Sequence, residues 1–135
     1  MGIKFGSAEW LTEYMNKLNA NNDYLEAAST WEGDFIFVVE PDGGLDHEVR
    51  FYVDLWHGKA RSGRALNPGE EVSSEFVFSG KWGNYAQLID GKLDPIKGLM
   101  TRKFALKGDM KKVMRAVKAA NELVKTILMV DTEKY

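Results

Sequence analysis

The residues that could carry acid–base or metal chemistry in this 135-residue chain are few and scattered. His47 and His57 are the two histidines; each falls near a turn, with no partner His at i+4 and no carboxylates at metal-ligand spacing. Glu70 and Glu71 adjoin within Asn-Pro-Gly-Glu-Glu, a turn in which paired carboxylates are solvated. Cysteine is absent, which excludes disulfides, thiolate catalysis and cysteine metal sites. The chain has neither a Gly-x-Ser-x-Gly elbow nor a phosphate-cradling Gly-x-x-x-x-Gly-Lys loop. These absences predict a protein that is not an enzyme and holds no cofactor and no metal. What remains is the chemistry of apolar surface, since 44% of the residues are hydrophobic, including six Met, seven Phe, four Trp and five Tyr.

Charge is the second signal. Residues 1–91 hold 7 Lys/Arg against 15 Asp/Glu, while residues 92–125 hold 10 against 3. Lys111, Lys112, Arg115, Lys118 and Lys125 make a basic helix face. Two readings stand: a solvated surface, or a face that attracts an anionic membrane surface or headgroup. Nucleic acid is not an expected partner, because the aromatic residues are not interleaved with that face and the isoelectric point is about 5.7. The start, MGIKFGSAEW, lacks the apolar stretch of a signal peptide. The end, DTEKY, is not an organelle address of the usual kind. With cysteine absent, the expected location is cytoplasmic. The length predicts one domain over residues 1–135, and the sequence leaves its oligomeric state open between a monomer and a weak homodimer.

The elements that must position any site follow from periodicity. Ser7 is a good N-cap for a helix whose Trp10, Leu11, Tyr14, Met15 and Leu18 recur at helical spacing. A short second helix, capped by Asn22, covers DYLEAAS. Residues 35–39 are apolar on both faces and read as an interior strand. EVRFYVDLW alternates as a strand with one wet face, and HGKARSGRAL is a thin strand after a His57-Gly58 turn. EVSSEFVFSG is a fourth strand, with Val72, Ser74, Phe76 and Phe78 on one face. Short turns between these four predict antiparallel pairing. KWGNYAQLIDG is a helix stopped by Gly91; Asp94-Pro95 opens one helical turn; RKFALKG is a fifth strand; and Asp109 caps one long helix to about residue 128. The fold class is therefore α+β: a five-stranded, mostly antiparallel sheet covered on one face by about five helices.

The last helix is the most informative element. Val113, Val117, Ala120, Val124 and Ile127 form one side; Met110, Met114 and Leu128 extend it one way, Ala116 and Leu123 the other. This arc covers roughly half the helix, more than one docking stripe needs. It fits either a buried core helix with one hydrogen-bonded residue, Asn121, or a helix that lines a ligand cavity.

The run FSGKWGNYAQLIDGKLDPIKGLMTRKFALKGDMKKVMRAV resembles the core of the sterol carrier protein lipid-binding family. The matching features are the aromatic helix at Trp82, the Leu-Ile-Asp-Gly-Lys-Leu-Asp-Pro corner and the Lys-Gly-Asp-Met start of the last helix; with EGDFIFVVE and FYVDLWHGKA, the resemblance covers about residues 8–128. It implies an apolar tunnel for one lipid between the sheet and the C-terminal helix, in a domain that is not catalytic on its own. Ligands of the family include sterols, fatty acids, fatty acyl-CoA and phospholipids. On this reading the cavity is walled by Phe76, Phe78, Trp82, Tyr85, Leu99, Met100, Phe104, Met110, Met114 and Val117, within a pocket of about 300–1,000 Å³. Two other readings stay open: an accessory module that presents an apolar substrate to a partner enzyme, and an interaction domain with a filled core.

Overall fold

The computed structural model describes residues 2–135. A two-residue strand, β1 (Ile3–Lys4), precedes α1 (Ala8–Asn19), which starts where Ser7 accepts a hydrogen bond from the Trp10 N–H. Its stripe buries Trp10, Leu11, Tyr14 and Leu18. The cap of α2 (Asn22–Ala27) is Asn21 rather than Asn22. Its carboxamide oxygen accepts from the N–H groups of Asp23 and Tyr24, while its amide donates to Thr126 Oγ1 at 3.0 Å. That long-range bond favours Asn21 over its neighbour.

Five strands, β2 (Glu32–Glu40), β3 (Val49–Trp56), β4 (Lys59–Ala65), β5 (Phe76–Lys81) and β6 (Phe104–Lys107), form one sheet in the order β4-β3-β2-β5-β6. Three pairings are antiparallel, but β5 lies parallel to β2 instead of antiparallel to β4. Since β4 and β5 run the same way, the chain between them must travel back a strand's length. Residues 66–75 do this as a strap over the outer face, so Val72 and Ser74 are not strand residues. Arg50 donates to the carbonyls of Asn67 and Glu70, Arg64 pairs with Glu70, and the Glu75 N–H donates to Asp34 at 2.7 Å.

The inner face is built in rungs. Phe51, Phe37, Phe78 and Leu106 lie side by side across β3, β2, β5 and β6. The rung on one side is Val53, Phe35 and Phe76; on the other it is Val49, Val39, Gly80 and Phe104. Above this face lie α1 and α2 together with α3 (Trp82–Ile89), α4 (Pro95–Met100), α5 (Met110–Met114) and α6 (Val117–Ile127). The expected single last helix is two. Arg115 ends α5, and Ala116, at φ −109° and ψ 36°, leaves helical geometry and gives α6 no side-chain cap. A further strand, β7 (Thr132–Glu133), pairs parallel with β1. Two residues are too few to show alternation, so this clamp leaves no periodic trace in the sequence.

The corner between α3 and α5 is tight because one ring fills it. Phe104 stacks on Phe78 at 4.7 Å between centroids, and its ring lies against two glycines. A Cβ on Gly80 would come within 2.5 Å of the ring, and one on Gly98 would also approach to 2.5 Å. Gly98 sits inside α4, where helix propensity alone would favour Ala by about 1 kcal/mol. The packing argument outweighs that gain: Gly98→Ala is expected to destabilise the protein by roughly 1–3 kcal/mol in urea unfolding. Stabilisation by the substitution would show that Phe104 does not need the space.

Candidate functional site: an apolar cavity beneath the last helix

The floor of the cavity is the central rung, Phe51, Phe37, Phe78 and Leu106, with Phe35 beside it. Its far wall is Phe5, Trp10 and Tyr14 from the N-terminal segment and α1. Tyr85 and Leu88 of α3, then Pro95, Ile96 and Leu99 of α4, close one side. The roof is Val113 of α5 with Ala120, Leu123, Val124 and Ile127 of α6. The void measures about 80 Å³.

Polar atoms on these residues are turned to other work. Tyr14 Oη donates to the Leu123 carbonyl at 2.8 Å, Tyr85 Oη to the Phe78 carbonyl at 3.0 Å, and Trp10 Nε1 to Thr132 Oγ1 at 2.9 Å. Burial pushes the Tyr14 phenol well above its usual pKa of 10, reinforced by Tyr24, and burial does the same for Tyr85, with Glu40 adding to it. Both phenols stay neutral across the physiological range. The lining therefore offers hydrocarbon contact and no free donor or charge. An apolar void of this kind stays dry.

Of the ten residues assigned from the sequence, Phe78, Tyr85 and Leu99 line this void. Phe76 and Phe104 are buried on the same sheet face but one rung to either side. Trp82 is buried against Phe5 and Tyr135, toward the β1–β7 clamp. Met100, Met110, Met114 and Val117 are exposed, at 72%, 40%, 36% and 36%. Asn121, placed in the apolar arc, is half-buried. The break at Ala116 accounts for the residues of the last helix, though not for Met100 of α4: it resets the helical phase, so α6 turns Ala119, Ala120 and Leu123 inward and Val117 outward. Sequence reading missed Phe35, Phe37 and Phe51, although strand alternation already places them on one face; only pairing register shows that they meet.

The exposed methionines have charged neighbours. Lys81, Lys92, Lys97, Arg102, Lys103, Lys107, Lys111, Arg115 and Lys118 make no side-chain hydrogen bond or ion pair among the described residues. The other cations are tied down, as Arg61 is to Asp54, Lys134 to Asp90 and Lys112 to Glu75. The unpaired nine thus fall within residues 81–118, around the edge strand β6.

The topology and cavity define an α+β domain of the sterol carrier type. The sequence profile of the SCP-2 sterol transfer family matches residues 13–121. The chain belongs to that family, a family of lipid-binding and lipid-transfer domains. A crystal structure of sterol carrier protein 2 is 32% identical, with a TM-score of 0.83, and the match covers 94% of this chain and 99% of that one. A conserved hypothetical protein from Thermus thermophilus, suggested to be a sterol carrier protein, is 30% identical with a TM-score of 0.83, covering 98% and 93%. Sterol carrier protein 2 from Yarrowia lipolytica in its apo form shares the fold at 16% identity and a TM-score of 0.59, covering 94% and 98%. No functionally curated protein matches the chain. No helix among the described residues is long and apolar enough to cross a membrane.

Proposed function

We propose that the protein carries one lipid at a time, with the ligand's hydrocarbon chain in the cavity under α6 and its polar end outside. The observation that carries this reading is the void itself: apolar on every side, with its neighbouring polar atoms already bonded elsewhere. An empty apolar cavity of about 80 Å³ costs about 2 kcal/mol at roughly 24 cal/mol per Å³. A hydrocarbon chain relieves that cost, and each buried methylene adds about 0.8 kcal/mol. Pockets that enclose a whole small-molecule ligand span about 300–1,000 Å³, so loading must widen this one. The roof has a part that can give. Tyr14 and the Asn21–Thr126 bond pin the C-terminal half of α6. The break at Ala116 separates that half from α5, which buries only Val113. Loading proceeds by displacement of α5 and the start of α6.

Docking on an anionic surface completes the reading. Met100, Met110, Met114 and Val117 alternate along the chain with Lys97, Arg102, Lys107, Lys111, Arg115 and Lys118. Apolar side chains among unpaired cations suit a headgroup layer, where each basic residue contributes about 1 kcal/mol.

Val124→Lys puts an unpaired charge into the cavity roof. It is expected to weaken binding of a fluorescent fatty acid at least tenfold, whereas Met114→Lys, on the surface, changes affinity less than twofold. The reverse pattern would move the ligand out of the void and onto the methionine face.

The double variant Lys111→Glu/Arg115→Glu is expected to slow lipid transfer from anionic vesicles several-fold at low salt. The difference from wild type should shrink as salt shortens the Debye length. Equal rates at low salt would reduce this face to a solvated surface.

A further inference from the structure

A second apolar void, of about 30 Å³, lies under the α5–α6 break. Phe35, Val113, Ala120 and Leu123 wall both voids, so the two are separated by a septum of four side chains. The far end of the second void is closed by Tyr24, Trp31 and Leu55. Trp31 is held there by its Nε1–H, which donates to the Gly33 carbonyl at 3.1 Å, and by the Lys112 ammonium over its ring at 5.0 Å. Along α6 the order is plain. Ile127 and Val124 face the first void, Leu123 and Ala120 face both, and Ala119, with Ala116 just before the helix, faces the second.

Resting on the lipid-carrier reading, we infer that the second void is a terminal subsite for the end of the ligand's hydrocarbon chain, and that Ala119 sets the chain length the protein accepts. The first void alone follows α6 from Ile127 to Ala120, about 10 Å of helix at 1.5 Å per residue. Crossing the septum to Ala116 adds roughly 6 Å. A short chain ends before the septum. A long chain must turn aside the Leu123 and Val113 side chains, with the pinned Leu123 backbone in place, and reach Ala119. Ala119 is buried and lines only the second void, so a larger side chain there shortens the path without narrowing the first.

The test compares decanoic acid with oleic acid on the intact chain by calorimetric titration. Ala119→Val is expected to weaken oleate about tenfold while leaving decanoate within twofold of wild type. Decanoate binding doubles as the check that the variant folds. Trp31→Phe enlarges the same end wall and is expected to shift the oleate-to-decanoate ratio the opposite way. A ratio unchanged by both variants, or equal losses for both acids in Ala119→Val, overturns the subsite. Failure of wild type to bind either acid overturns the lipid-carrier reading instead, so the two failures are distinguishable.

Discussion

The inner sheet face cannot be packed flat. Phe51, Phe37 and Phe78 lie side by side on one rung, with Phe35 and Phe76 on the next. Over the central rung the helices bridge the rings without filling the space between, leaving a void of about 80 Å³. Ala119 and Ala120 face these rings from α6, which keeps the roof close to the floor while leaving space between them. The short helices α3 and α4, turned by Gly91 and by the Asp94 cap, enclose the side of the gap without crossing it.

The second constraint is polar satisfaction. Among the described residues, no buried side-chain nitrogen or oxygen lacks a partner. The cavity owes its uniform apolar character to this accounting: Tyr14, Tyr85 and Trp10 send their polar atoms to backbone or side-chain partners and show only their rings to the void. The Tyr14 bond to the Leu123 carbonyl also fixes the part of α6 that must not move. One hydrogen bond thus links α1, the lining and the roof.

How much of this was legible depended on range. Local signals were reliable: Ser7, Asp94 and Asp109 cap helices as their types demand, and the alternation in β3 puts Phe51, Val53 and Leu55 inside. The order of Gly, Asp-Pro and Gly-Asp between residues 88 and 110 carried the family resemblance. Non-local facts were not legible. No dipeptide announces that β5 joins β2, because Arg50 and Asp34, far away in sequence, hold the strap that makes it so. The break at Ala116 has no Gly or Pro to mark it. Without the break, helical periodicity assigns Met114 and Val117 to the interior, and they lie on the surface instead.

The central claim is that the void under α6 holds hydrocarbon. Native mass spectrometry of the full chain incubated with oleic acid tests it most directly. The account predicts a complex of one oleate per chain that survives removal of free lipid and is lost on unfolding. A spectrum showing only the bare chain, with oleate in micromolar excess, would contradict it.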